Sequence, residues 1–215
     1  MIDIKCISVN MLQENCYIVS DETRECVIVD CGAYYDAERK GVVAYLHEQG
    51  LTPRHLLCTH GHMDHVFGAD TIFDTFGLNP EIHRDDENLL LNIDQQTRDM
   101  MGVGYDRPMP AVGRFLEDGD SVNFGTHVLR VIHTPGHSPG GVSFYCEEEK
   151  VLFTGDTLFR MSVGRTDLHR GSWPLLMESL AKRLAVLPFD TVVYPGHGPL
   201  SAIGDEVRMN PFFRV

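Results

Sequence analysis

The stretch Thr59-His60-Gly61-His62-Met63-Asp64-His65 limits what this chain can fold into more than any other. Three histidines and an aspartate fall within six residues, directly after the apolar run Leu56-Leu57-Cys58. A strand sends alternate side chains to opposite faces and a helix spreads them around its circumference, so neither brings all four groups to one point. A tight turn at the end of a buried strand does, and Gly61 is expected to give the backbone that freedom. The stretch reads as a metal cradle on a strand-to-helix turn, with the rest of the chain as its support.

That support is predicted as strands and helices in alternation. Residues 2–9, 15–20 and 25–30 are rich in β-branched side chains and read as strands, the last ending at Asp30 beside Cys31-Gly32. A helical pattern follows over 36–49 with Gly50 at its end, then a strand over 54–58 that feeds the turn. Residues 64–76 and 85–101 read as helices, with a short strand over 80–83 between them. The glycine- and proline-rich piece 102–110 reads either as a loop over a site or as an ordinary surface connection, so a lid role for 85–115 is left open. Strands are expected again at 121–124, 127–133, 141–146, 150–154 and 191–194, and a helix at about 173–187. Two successive strand-rich halves, each with helices, imply two sheets packed face to face with helices outside, in one domain spanning 1–215.

The bulk of the chain fits a folded protein. A length of 215 residues with 43% hydrophobic content supports a full core. No apolar run reaches the roughly 18 to 20 residues that a membrane helix needs, and the first residues lack the order of a secretory signal. A cytoplasmic protein without a membrane partner is expected, its six cysteines reading as reduced core thiols. A net charge of −13 argues against nucleic acid as a partner, because phosphate binding calls for a basic face.

Four times a strand is expected to end, a glycine to appear and a metal-capable residue to be presented: at His60/His62/Asp64/His65, at His137 in Pro-Gly-His-Ser-Pro-Gly, at Asp156 in Thr-Gly-Asp-Thr, and at His197 in Pro-Gly-His-Gly-Pro. Any one of these histidines alone is better explained as a hydrogen-bonded structural residue. The ordered set is not, and its long spacings require the strand ends to gather at one edge. Five histidines and two carboxylates suit zinc, iron or manganese. Metal binding lowers the pKa of water from 15.7 to about 7 and so supplies a nucleophile without serine or cysteine. Hydrolysis of an ester, thioester, amide or lactone is the natural reaction class.

The order H-x-H-x-D-H, His, Asp, His on a strand-rich frame resembles the metallo-β-lactamase superfamily over nearly the whole chain. The resemblance implies an αββα sandwich carrying two divalent metals at one edge, zinc foremost, with iron or a mixed pair as alternatives. It implies His60, His62 and His137 as ligands of one metal, Asp64, His65 and His197 as ligands of the other, and Asp156 as a bridge. Asp64 and Asp156 become the catalytic carboxylates, and Asp30 a support behind the ligands.

Gly155-Asp156-Thr157-Leu158-Phe159, Val163-Gly164-Arg165-Thr166-Asp167 and Gly196-His197-Gly198-Pro199 are similar to the short bacterial glyoxalase II-like branch, the hydroxyacylglutathione hydrolases. That branch implies cleavage of a small thioester by a metal-bridging hydroxide. The Gly-Arg-Thr-Asp piece is also similar to the persulfide dioxygenases, which use one iron, and a non-catalytic metal-dependent sensor or binding module is a further alternative. Full-length glyoxalase II proteins carry a helical C-terminal domain whose cations hold glutathione, and this chain ends at Val215. Arg165, Arg170, Arg98, Arg107 and Arg114 are the candidate replacements. Tyr105, Phe159 and Met161 are expected as pocket walls, and the remaining histidines, His169 among them, as structural or surface residues. A β-lactamase is expected to carry an export signal and a tRNA-processing nuclease a basic surface, so both fit less well.

Overall fold

A computed structural model describes residues 1–213. The first sheet holds β1 (Asp3–Val9), β2 (Glu14–Ser20), β3 (Glu25–Val29), β4 (Thr52–Leu57), β5 (Pro80–His83) and β6 (Arg114–Leu116), in that order. β1, β2 and β3 are antiparallel neighbours, and β3 to β6 run parallel. The second sheet is built from β7 (Ser121–Phe124), β8 (His127–His133), β9 (Val142–Cys146), β10 (Val151–Gly155), β13 (Val192–Pro195) and β14 (Ser201–Ala202), in the order β14-β13-β10-β9-β8-β7. β11 (Leu158–Phe159) and β12 (Ser162–Val163) form a small hairpin of their own.

Side-chain alternation explains the layering. Tyr17, Val19, Val27, Val29 and Leu57 of the first sheet meet Leu129, Val131, Val142, Phe144 and Phe153 of the second in one buried cluster between the sheets. The intervening residues Cys16, Ile18, Cys26, Ile28 and Leu56 point outward, onto Val42 and Leu46 of α1 (Asp36–Glu48) and Ile72 of α3 (Ala69–Phe76). On the far side, Ile132, Tyr145, Leu152 and Val193 pack on Leu176 of α6 (Trp173–Ser179) and Ile203 of α7 (Ile203–Met209). Strands covered on both faces carry apolar side chains at successive positions, as β2 does over 16–19, β3 over 26–29, β9 over 144–146 and β10 over 151–153. The αββα sandwich expected from the sequence is the fold observed.

Several boundaries differ from expectation. The helix expected over 64–76 is two pieces, α2 (Met63–Val66) and α3, parted where the Gly68 N–H donates to the Cys31 carbonyl at 2.7 Å. The helix expected over 85–101 is a short 3-10 turn, then α4 (Glu87–Leu91) and α5 (Ile93–Met101), broken at Asn92. Past Ser179 the helix expected to run to 187 widens into a π turn over Leu180–Leu184, which keeps Leu176, Leu180 and Leu184 on the buried side. Five cysteines are buried as expected, whereas Cys6 lies exposed on β1. No helix among the described residues is long and apolar enough to cross a membrane.

The 102–110 segment does not lie over the metal-capable residues. Tyr105, expected in a pocket wall, is buried, and its hydroxyl donates to the Phe67 carbonyl at 2.6 Å while accepting from Arg39 at 3.0 Å. Arg107 reaches Asp36 at 2.8 Å and Asp70 at 3.4 Å. Both residues tie the segment to α1 and to the α2–α3 junction, where an aromatic body and two cations satisfy buried carbonyls and carboxylates.

Candidate metal centre

Each candidate ligand, and Asp30 behind them, stands past the C-terminal end of a strand. β3 leads to Asp30, β4 to His60, His62, Asp64 and His65, β8 to His137, β10 to Asp156, and β13 to His197. Because β4 runs parallel to β3 and β13 runs parallel to β10, these ends share one edge of the sandwich. The structure brings all seven candidate ligands together there. Their donor atoms form overlapping groups within 4.8 Å: His60/His62/His137, His60/His65/Asp156 and Asp64/His65/His197.

One ring nitrogen of four histidines is tied outward, which leaves the other aimed inward. The His65 Nδ1–H donates to Asp30 Oδ2 at 2.9 Å, that of His137 to the Arg165 carbonyl at 2.7 Å, and that of His197 to the Leu12 carbonyl at 3.1 Å. His60 Nδ1–H donates to Thr59 Oγ1 at 3.0 Å, and that hydroxyl donates onward to Asp30 Oδ2 at 2.7 Å. Outward bonds of this kind fix the tautomer and the plane of a ligand imidazole. The inward atoms have little to bond to: His60 Nε2, His65 Nε2 and Asp156 Oδ1 are buried without a hydrogen-bond partner. His62 Nδ1 faces His137 Nε2 at 2.8 Å, and Asp156 lies 3.3 Å from His65 Nε2 and 3.5 Å from His137 Nε2. Buried orphan nitrogens converging on a carboxylate are the arrangement that a divalent cation satisfies.

The two halves of the cluster differ electrostatically. Burial, then the neighbouring imidazoles, push His60 well below the ordinary histidine range, and burial with His137 pushes His62 down to about 3. His65 goes the other way. Burial opposes its protonation, but Asp156, Asp64 and Asp30 carry it well above the usual value. His197 is raised against its burial by a hydrogen bond to Asp64, 3.2 Å away, and by Asp156. Asp64 and Asp156 are held low despite burial, chiefly by His65. His60 and His62 are therefore neutral donors, and Asp64, His65, Asp156 and His197 form a set of compensated charges.

Some placements were not foreseen. Gly61 has no left-handed backbone; its missing side chain matters because a Cβ there would stand 2.7 Å from Leu89 Cβ and 2.8 Å from the Asp86 carbonyl. Asn15 and Tyr17 of β2 hold the His197 loop, through Asn15 Nδ2 to the Pro195 and Gly198 carbonyls at 3.1 and 2.9 Å and the Tyr17 hydroxyl to Pro195 at 2.7 Å. Nothing local in the sequence marks them, since their partners lie about 180 residues away. His169 is exposed, as expected, and also lines a cavity of about 160 Å³ with His62, Leu89, Gln96, Met100 and Leu168. Phe159 stands 6.2 Å from the His197 ring, whereas Met161 is exposed. Arg165 is exposed and paired with Asp167 at 2.7 Å; Arg98 pairs with Asp94 and Arg114 with Asp120, each at 3.0 Å.

Comparison with known proteins agrees with this geometry. The family model described as the metallo-beta-lactamase superfamily matches residues 9–197. The hydroxyacylglutathione hydrolase GloC of Haemophilus influenzae is 34% identical, the match covering 98% of this chain and 97% of that one. Among solved structures, the B3 metallo-beta-lactamase BLEG-1 superposes with a TM-score of 0.89 at 36% identity, covering 99% of this chain and all 100% of its own. The protein TTHA1623, solved in a di-iron-bound form, gives 0.86 at 38% identity over 97% and 99% of the two chains. The chain belongs to the metallo-β-lactamase superfamily.

Proposed function

We propose that this member of the superfamily is a dinuclear metallohydrolase that cleaves a small thioester or a related ester. His60, His62 and His137 would hold one divalent ion and Asp64, His65 and His197 the other, with Asp156 between them. The observation that carries the reading is the convergence of buried, unpartnered His60 Nε2, His65 Nε2 and Asp156 Oδ1 on one point. Zinc suits this donor set, and iron or a mixed pair does as well, the di-iron form of TTHA1623 being a relative in point. When bound, such ions acidify water and polarise the carbonyl under attack.

The chain's own residues supply the rest. His60 and His62, held neutral, offer lone pairs without first shedding a proton. Asp30 and the Arg165 carbonyl keep His65 and His137 in the tautomer that turns Nε2 inward. The cavity beside His62 sets Leu89, Met100 and Leu168 where a short acyl chain would lie. Among its described lining residues there is one carboxylate, Asp99, and no lysine or arginine, which favours a small acyl group over an anionic peptide tail at this end.

The likeness to BLEG-1 favours a second reading, opening of a β-lactam amide. One panel separates the readings: purified protein with an S-acyl thiol such as S-lactoylglutathione, with a β-lactam, and with a persulfide under an oxygen electrode. Thioester hydrolysis that is lost on chelation and restored by metal supports the proposal. β-Lactam opening alone supports the second reading, and oxygen uptake with persulfide replaces both with mononuclear iron chemistry.

A further inference from the structure

A fully buried carboxylate that binds no candidate ligand joins the two loops that carry the first ion's ligands. Asp86 Oδ2 accepts from the Gly61 N–H at 3.0 Å and from Ser138 Oγ at 2.6 Å, and Oδ1 accepts from the Gly140 N–H at 2.6 Å. Asp86 is 0% exposed. Gly61 lies between His60 and His62, and Ser138 follows His137 directly. The three donors stand 25, 52 and 54 residues from Asp86 in sequence, so the bonds staple segments that the chain itself does not connect closely. In the next peptide, the Gly61 carbonyl accepts from Gln96 Nε2 at 2.9 Å.

We infer that Asp86 is a positioning residue which fixes the His60–His62 turn against the His137 loop, and so sets the affinity of the ion held by those three histidines. The inference rests on the dinuclear reading above. His62 Nδ1 and His137 Nε2 already stand 2.8 Å apart, one nitrogen from each loop, so any slip between the loops changes their bite on a shared ion. All three partners of Asp86 donate, which is the pattern that an acceptor-only carboxylate satisfies. An ionised carboxylate is acceptor-only and has room for all three donors, whereas an amide has one oxygen and turns its NH₂ toward an N–H. The opposite half of the cluster is supported by other groups, Asp30 behind His65 and the Leu12 carbonyl behind His197. A defect at Asp86 is therefore selective.

The test is a zinc titration of metal-free protein against a chelating dye, with thermal unfolding of the same samples. His62→Ala identifies the binding step that belongs to the first position, and His197→Ala the second. Asp86→Asn is expected to weaken the step that His62→Ala removes by about 10- to 100-fold and to leave the other step as in wild type. Ser138→Ala, which deletes one donor of three, weakens the same step by less; it decides the matter if Asp86→Asn does not fold. The value of kcat should fall in step with that site's occupancy while KM holds. Unchanged affinity at both steps, or equal weakening of both alongside a lower melting temperature, overturns the inference and leaves Asp86 as ordinary core support. A wild-type protein with a single step removes the dinuclear reading, yet loss of that step in Asp86→Asn still upholds the clamp.

Discussion

Replacing Asp30 by asparagine should move one proton by the width of an imidazole ring and cost the second metal position most of its affinity. Asp30 takes three bonds: from Thr59 N–H and Thr59 Oγ1 at 2.7 Å each, and from His65 Nδ1–H at 2.9 Å. Its backbone is left-handed, with φ of 50°, a conformation that asparagine accepts. The amide oxygen can keep the Thr59 N–H, and the NH₂ then donates to His65 Nδ1. In the neutral ring that a cation requires, the one proton must then sit on Nε2, the atom that faces Asp156 and Asp64 and has to be bare to hold that cation. Changes to such supporting groups typically cost 10- to 100-fold in metal affinity, which is about 1.4 to 2.7 kcal/mol. Loss of one charge-assisted bond should also lower the stability of the metal-free protein by about 2 kcal/mol. Asp30→Ala is the wrong choice for this experiment. It strips all three bonds and forces alanine into the left-handed region, a sum of about 4 to 6 kcal/mol against a typical total of about 5 to 15. Zinc titration against a competing chelator reads the affinities, and urea melts read the stability. Second-step affinity equal to wild type in Asp30→Asn would refute the tautomer argument.

Gly155→Ala should cripple both folding and metal uptake, because φ is +48° and the new Cβ would sit 2.2 Å from Thr59 Oγ1, pushing apart the loops of Asp156 and His60; a wild-type melting curve would contradict this. His127 is buried between Asp21 at 3.0 Å and Glu149 at 3.2 Å. Against its burial, Asp21 and Glu149 raise its pKa, so its contribution is complete below about pH 6.5 and is lost as pH rises through the folded value. Asp21 is lowered against its burial, first by the Thr126 N–H, so its share is complete above about pH 3.9 and disappears only as pH falls through its lower folded value. The melting temperature should therefore fall from pH 6 to 9 more in wild type than in His127→Gln, and equal slopes would refute the assignment. Arg165→Ala removes an exposed ion pair with Asp167 and should change stability by less than about 0.5 kcal/mol, since His137 is held by the Arg165 carbonyl and not its side chain. If the guanidinium meets substrate as expected, KM for an anionic thioester rises while kcat holds, and an unchanged KM removes Arg165 from the binding surface.

The sandwich was readable because its determinants are local. Successive apolar residues in β2, β3, β9 and β10 state that both faces are covered, and the extents of β5, β7 and β8 follow from their flanking turns. The candidate ligands stood out for the same reason, each being an unusual residue in a glycine-marked turn after an apolar run. What escaped was set by partners distant in sequence. The role of Gly61 comes from the approach of Leu89 and Asp86, and that of Tyr105 from the Phe67 carbonyl. Asn15 and Tyr17 acquire their meaning only once β2 lies beside the His197 loop. The short strands β6, β11 and β12 carry two or three residues each, too few for an alternation to declare itself.

The central claim is that this turn is divided between two ions, His60 and His62 on one side, Asp64 and His65 on the other. A crystal of zinc-loaded protein, measured at the zinc absorption edge, tests it most directly. The account predicts two anomalous peaks, one among His60, His62 and His137 and one among Asp64, His65 and His197, with Asp156 between them. A single peak in crystals soaked to saturation would contradict it.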